Sequence, residues 1–127
     1  MEEELRTLLR STSSVTSIVG QRIEWVAQPQ GAALPAIVLN TVSGFDGIHM
    51  NGTGPYEGRV QADCYGLTYT TAKTASRAVI EALNAYRGGG FLFIQHVSTR
   101  DSREGSSNEA ERPYRASLDF NITWRPE

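Results

Sequence analysis

The residue types that most often carry chemistry are few in this chain of 127 residues. Its two histidines, His49 and His96, have no neighbour at the spacing that metal sites use. Its single cysteine, Cys64, stands beside Val60 and Ala62 on the apolar side of an alternating run. Because buried cysteine behaves as a small apolar residue, the sequence predicts a core position for Cys64 and not a nucleophile.

Two carboxylates, Asp63 and Asp119, are candidates for acid–base work, because paired carboxylates can transfer protons. Each falls on the polar side of an alternating strand pattern, and a strand face turned to solvent or to a neighbouring subunit explains them more simply. The glycine-rich stretches 44–54 and 88–90 match neither a phosphate-binding loop nor a dinucleotide fingerprint. The sequence therefore predicts no catalytic, cofactor-binding or metal-binding residue, and no enzyme.

Residues 58–98 predict a strand, a helix and a second strand, around which the chain is organised. Arg59 to Tyr65 alternate with the period of a half-buried strand. The period then changes to steps of three and four, which predicts a helix of roughly 17 residues. Thr68 or Thr70 can cap its start, and Gly88 to Gly90 are expected to end it. We expect the apolar strand 91–98 to pair parallel to 59–65 through a right-handed crossover.

The remaining elements complete an α+β fold. The pattern predicts a helix over 2–10 with Leu5, Leu8 and Leu9 on one face, a short turn of helix ending at Gly20, and strands over 22–26, 36–43 and 114–125. The last strand should lie antiparallel to 91–98. We expect one domain over residues 1–127: a mixed, mostly antiparallel sheet of four to five strands, packed by the N-terminal helix and the long helix.

Two polar stretches, 44–57 and 99–112, read as long loops between strands. The first holds four glycines and a proline, and the second has mixed charge and no large apolar residue to fix it on a core. Long loops are often functional, so both are candidates for contacts with other proteins. The candidate interface residues are Phe45, Asp46, His49, Met50, Tyr56, Arg100, Arg103, Glu104 and Arg112.

Composition excludes some classes of function. Twelve basic and fourteen acidic side chains give a net charge of −2, so no bulk positive charge indicates nucleic-acid binding. No apolar run approaches the roughly 20 residues of a membrane helix. The acidic start MEEEL differs from the basic start of a signal peptide, which predicts a protein made in the cytoplasm.

The chain resembles the tail-terminator (tail-completion) proteins of long-tailed phages, most closely those of gene transfer agents and related prophages. The resemblance runs over nearly the whole chain and rests on the order and spacing of several stretches. These are the leucine-bearing N-terminal helix with the later Ile18–Ile23 step, Gln30–Val38, Arg59–Tyr65 followed by Tyr69 and the alanine-rich helix, and Tyr114–Phe120.

The resemblance implies a structural virion protein. Six copies would form a ring on the head-proximal end of the tail tube, stop tube polymerisation and join the tail to the stopper or connector proteins of the head. DNA would pass through the ring without sequence recognition, and no membrane or cofactor would take part. The protein would then lie at the head–tail junction of the particle.

Three alternatives stay open at this point. A head-completion or neck protein would bind on the portal side. A small α/β enzyme or ligand-binding domain would need a concave site with convergent polar groups. A homo-oligomeric scaffold would have no link to phages.

Overall fold

A computed structural model describes residues 2–26, 34–49, 52–103 and 114–125, with the backbone alone described at 43–49, 52–56 and 103. The described residues form three helices and five strands. In chain order these are α1 Glu2–Arg10, α2 Ser13–Val19, β1 Ile23–Trp25, β2 Ala36–His49, β3 Gly52–Gly66, α3 Tyr69–Leu83, β4 Phe91–Arg103 and β5 Tyr114–Trp124.

The five strands form one mixed sheet in the order β1-β2-β3-β5-β4. β1 is parallel to β2, and the other neighbouring pairs are antiparallel. This confirms the predicted fold class and the antiparallel pairing of the last strand with β4. The expected parallel pairing of β4 with β3 is wrong, because β5 lies between them and pairs with both along its whole length.

β2, β3 and β4 are longer than the sequence pattern indicated. The hairpin ladder between β2 and β3 continues to His49 and Gly52, so residues 44–49 and 52–57 are strand and not the predicted loop. Pro55 is accommodated because β5 pairs with β3 only from Tyr56 onward, which leaves Pro55 beyond the end of β5.

The predicted loop 99–112 also includes residues that are strand, since 99–103 belong to β4. β4 continues to Arg103 because its residues pair with β5 as far as Tyr114. Polar contacts hold this stretch, since Asp101 accepts hydrogen bonds from Lys73 Nζ (3.1 Å) and from the Tyr69 hydroxyl (3.2 Å). The remainder of that prediction, 104–112, lies outside the described residues, as does most of the predicted loop 27–35.

The core lies between one face of the sheet and the three helices. Alternate residues of β2, β3 and β5 turn to this side, and Leu39, Ala62 and Leu118 are fully buried there. From the helices, Leu5, Leu9, Val15, Val19, Ala75, Val79 and Leu83 pack into the same cluster. This face is called the helix side below, and the opposite face of the sheet is called the polar face.

α3 begins as predicted and ends earlier than predicted. Thr68 caps its start, because the hydroxyl oxygen accepts a hydrogen bond from the backbone N–H of Thr71 (3.1 Å). The helix stops at Leu83, and not at the three glycines, because the next residues bond to β4. Ala85 N donates to the Ile94 carbonyl (2.7 Å), and His96 N donates to the Asn84 side chain (3.0 Å).

Gly88, Gly89 and Gly90 instead form the turn that leads into β4. All three have positive φ, at 143°, 53° and 92°. Gly88 and Phe91 exchange two backbone hydrogen bonds (3.0 and 2.8 Å), which closes the turn. A Cβ at Gly90 would lie 2.7 Å from Trp124 Nε1 and 2.8 Å from the Arg125 carbonyl, whereas one at Gly89 would meet nothing within 4 Å.

Candidate functional site

The polar face carries a connected set of hydrogen bonds, which we call the polar network: Gln61, Asp63, Ser98, Arg100 and Asp119. Gln61 Nε2 donates to Asp63 Oδ1 (2.9 Å). Arg100 Nη2 donates to Gln61 Oε1 (3.2 Å) and lies 3.4 Å from Asp119 Oδ2. The Ser98 hydroxyl donates to the same Asp119 oxygen at 3.0 Å. The network joins β3, β5 and β4 side by side.

The strand register explains why these residues meet. Gln61 stands opposite Asp119, and Asp119 stands opposite Ser98. Because side chains alternate between the faces of a sheet, positions two apart along one strand share a face. Asp63 and Arg100 are therefore the next polar-face residues along β3 and β4.

Asp63 and Asp119 are buried, which differs from the exposed polar side that the sequence predicted. Asp63 is 4% exposed and Asp119 is 9% exposed. They are diagonal neighbours, because Asp63 pairs with Ser117 and Gln61 pairs with Asp119. Each carboxylate accepts a hydrogen bond from a neutral side chain, and Asp119 also contacts an arginine. Each carboxylate thus has its own hydrogen-bond donor in the network, Gln61 for Asp63 and Ser98 for Asp119.

Cys64 is confirmed as a core residue. It is fully buried on the helix side. Burial raises the pKa of the thiol well above its ordinary value of 9.0, and the charge of Asp63 adds to the effect. A thiol that stays protonated at neutral pH is a poor nucleophile.

His96 lies on β4 as predicted. Its ring stacks obliquely on Phe120 with 5.5 Å between centroids, and its Nε2 hydrogen-bonds the Thr99 hydroxyl at 2.9 Å. Among the described residues, no three His, Cys, Asp or Glu side chains gather closely enough to hold a metal ion.

A wide groove of about 450 Å³ opens on the helix side, between α1 and the turn before β4. Its lining includes the apolar and aromatic residues Leu8, Tyr86 and Phe91 and the acidic residues Glu3 and Glu4. It lies on the opposite side of the sheet from the buried aspartates, so the groove and the carboxylates do not combine into one site.

The candidate interface residues fall into two groups. Phe45, Asp46 and His49 lie on β2 and Tyr56 on β3, in the distal part of the hairpin. Arg100 and Arg103 lie on β4, and the Arg100 side chain is 60% exposed. The other three, Met50, Glu104 and Arg112, lie outside the described residues.

The end of the β2–β3 hairpin, residues 44–49 and 52–56, is called the distal hairpin, and it extends beyond the rest of the sheet. The last β3–β5 pair is Tyr56 with Trp124, whereas β2 and β3 still pair at Ile48 with Thr53 and at His49 with Gly52. A two-stranded ribbon is only marginally stable by itself in water. Among the described residues, this end of β2 and β3 is therefore held in the sheet only by the pairing of the two strands with each other.

Gln61 and Ser98 are the network members that sequence reasoning did not single out. The alternation of β3 placed Gln61 on the same side as Asp63, so that pair could have been found. Ser98 could not, because a bulge at Val97 shifts the alternation of β4 by one residue.

The comparisons with known proteins agree with this description. A family model described as "Tail completion protein gp17" matches residues 3–125. The chain belongs to this family of tail completion proteins. It is thus a structural protein of a phage-type tail, as the resemblance implied.

Two solved structures resemble this tail completion protein in fold. One is a chain of the "Virion of native gene transfer agent (GTA) particle", with a TM-score of 0.73 and 16% identity, covering 95% of this chain and 92% of that one. A second solved chain has a TM-score of 0.52 and 13% identity, with 100% and 99% covered. None of the curated proteins matches the chain. Within the described residues, no helix has the length and apolar character to cross a membrane.

Proposed function

We propose that six copies of this tail completion protein form a ring on the head-proximal end of the tail tube. The ring stops tube polymerisation and joins the tail to the connector proteins of the head. The observation that carries the proposal is the family match over nearly the whole chain, residues 3–125. The fold-level likeness to a chain of a gene transfer agent virion supports it.

A ring of this kind needs two different patches on each subunit, because a closed head-to-tail ring joins unlike surfaces. The domain offers two unlike surfaces, one at the tip of the β2–β3 hairpin and one on the edge strand β4. The distal hairpin with Phe45, Asp46 and His49 lies at one end of β2, and Arg100 and Arg103 lie on the strand at the other side of the sheet. We assign these two regions to contacts with neighbouring copies, the tube and the head connector.

The arrangement suits assembly better than catalysis. The buried carboxylates are held by neighbouring side chains on a sheet face, and the groove between α1 and the β4 turn lies on the other side. The proposed place of the protein is the head–tail junction of a virion or gene transfer particle, with DNA passing through the ring.

The decisive experiment is negative-stain imaging of particles from a strain that lacks this gene, beside the same strain complemented with it. Tails of uncontrolled length, restored to uniform length by the wild-type gene, are the expected result. Full heads beside detached tails of normal length would assign the protein to the neck instead. Normal infectious particles would refute an assembly role altogether.

A further inference from the structure

Among the described residues, two strand edges of the sheet have no pairing partner over part of their length. β1 covers β2 only from Ile37 to Leu39, and the Val26 N–H bonds to the Leu39 carbonyl (2.8 Å). From Asn40 to His49, no described residue pairs with the outer edge of β2. This stretch is called the β2 edge below.

β4 is open at its other half. Its first residues are covered from outside by the chain after α3, through the bonds of Gly88 to Phe91, Ala85 to Ile94 and Asn84 to His96. From Val97 to Arg103, no described residue pairs with the outer edge of the strand. This stretch is called the β4 edge below.

Open edges expose backbone N–H and C=O groups that readily pair with another strand. The register indicates which residues point these groups outward. The Leu39 carbonyl and the His96 N–H form hydrogen bonds on the outer side of their strands. In an antiparallel sheet, successive residues of a strand direct their backbone N–H and C=O groups alternately to its two sides. Counting across the paired strands, Thr41 on the β2 edge and Thr99 on the β4 edge direct their backbone groups away from the sheet.

We propose that the β4 edge of one copy pairs antiparallel with the β2 edge of the next copy, so that the sheet continues from subunit to subunit around the ring. This inference rests on the proposed ring and names the surface that closes it. The occupant is a second copy because the chain itself supplies two unlike edges of similar length. The β4 edge has seven residues (97–103) and the β2 edge has ten (40–49), so the shorter edge can pair over its full length.

The strand directions fit this pairing. β2 and β5 run one way, and β3 and β4 run the other way. Rotation about a ring axis keeps the strand directions of every copy equivalent, so the β4 edge meets a β2 edge of opposite direction. Antiparallel pairing is the geometry in which such edges form regular hydrogen bonds.

Exposed apolar side chains accompany the two edges. Val42 is 54% exposed and Val97 is 42% exposed, each at a bulge near the start of its open stretch. Val26, 74% exposed, stands where β1 stops covering β2. A strand of a neighbouring copy on each edge would cover part of these side chains.

Disulfide trapping in assembled particles tests the pairing. Thr99→Cys is combined in turn with cysteine at Thr41, Gly44 or Asp46, the β2 positions whose partners Val60, Gly58 and Tyr56 place them on the same side of the sheet as Thr99. Facing residues of antiparallel strands lie about 4.5–5.5 Å apart at Cα, within the range of a disulfide. The native Cys64 is buried and does not compete.

We expect one of the three pairs to give a ladder of linked chains on a non-reducing gel, and mixed single variants of that pair to give linked dimers. The matched control is Thr99→Cys with Phe45→Cys, which lies on the opposite side of the sheet and should stay unlinked. Thr99→Cys linking to itself would show a symmetric β4 contact, and linkage to a different protein would show another occupant. Either result overturns the inference.

The outcome separates this inference from the proposed function. Thermal denaturation first confirms that each single variant folds like the wild type. Rings with tails of normal length but no linkage in any of the three pairs would overturn the edge pairing and leave the ring standing. Uniform tails in particles that lack the protein would instead refute the ring itself.

Discussion

Removing the arginine of the polar network should destabilise the free protein by a measurable amount. Arg100→Gln takes away the contact with Asp119 Oδ2 (3.4 Å) and the hydrogen bond to Gln61 (3.2 Å), while the Ser98 hydroxyl still donates to Asp119. The Arg100 side chain is 60% exposed and that of Asp119 is 12% exposed. Solvent therefore surrounds the arginine but reaches little of the carboxylate, and it weakens the attraction between the two charges only in part.

The magnitude follows from that exposure. Fully exposed ion pairs contribute about 0–1 kcal/mol, and hydrogen bonds to buried charges contribute about 1.5–3 kcal/mol. A pair of intermediate exposure should contribute about 1–1.5 kcal/mol to the free energy of unfolding. For a domain of this length, that corresponds to a melting temperature lower by about 3–6 °C.

A double-mutant cycle isolates the pair. Urea unfolding of the wild type, R100Q, D119N and the double variant should give a coupling energy of about 1 kcal/mol. R77Q, on an exposed position of α3, removes the same charge from the helix side and should change stability by less than about 0.5 kcal/mol. A coupling energy within error of zero, or an equal loss in R77Q, would refute the assignment of stability to the polar network.

Three further predictions are measured by chemical unfolding and, for Cys64, also by thiol labelling. Gly90→Ala should cost about 2–4 kcal/mol, because it adds a steric clash to a positive φ, whereas Gly89→Ala should cost only about 1 kcal/mol; equal losses would contradict the packing described. Thr68→Ala removes the N-cap bond and should cost about 1 kcal/mol, and an unchanged stability would show that the cap contributes nothing. Cys64 should resist maleimide until the protein unfolds. Its raised pKa keeps the thiol protonated in the fold, so stability should fall as the pH rises above about 9, where the unfolded thiol ionises; Cys64→Ala should remove that part of the pH dependence.

Local periodicity was enough to predict the elements that bury one regular face. β5 alternates over its whole length, and α3 carries its small residues at helical spacing, so both were placed from the sequence. The short parallel strand β1 and the N-terminal helix were also found. In each of these cases, the residues that define the element are close together in the chain.

The features that escaped prediction depend on residues distant in the chain. The position of β5 between β3 and β4 is decided by pairing on both its edges, which a local pattern does not contain. α3 ends at Leu83 because Asn84 and Ala85 bond to a strand about ten residues later. The glycines and proline of 44–57 indicate a loop by composition, yet the ladder with the partner strand overrides that preference.

The candidate site divides in the same way. Sequence alternation placed Asp63 and Asp119 on the polar side of their strands, but it could not show that neighbouring side chains bury them. The open edges of β2 and β4 were equally hidden, because an edge is a property of strand order and not of any one strand.

The polar face has a further electrical consequence. Within the described residues, β3, β4 and β5 place there three arginines, Arg59, Arg100 and Arg115, and three carboxylates, Glu57, Asp63 and Asp119. Opposite charges set a few ångströms apart cancel one another at longer range, and salt screens what remains beyond about 10 Å. The six formal charges sum to zero, so beyond about 10 Å these residues present no net charge to a passing polyanion.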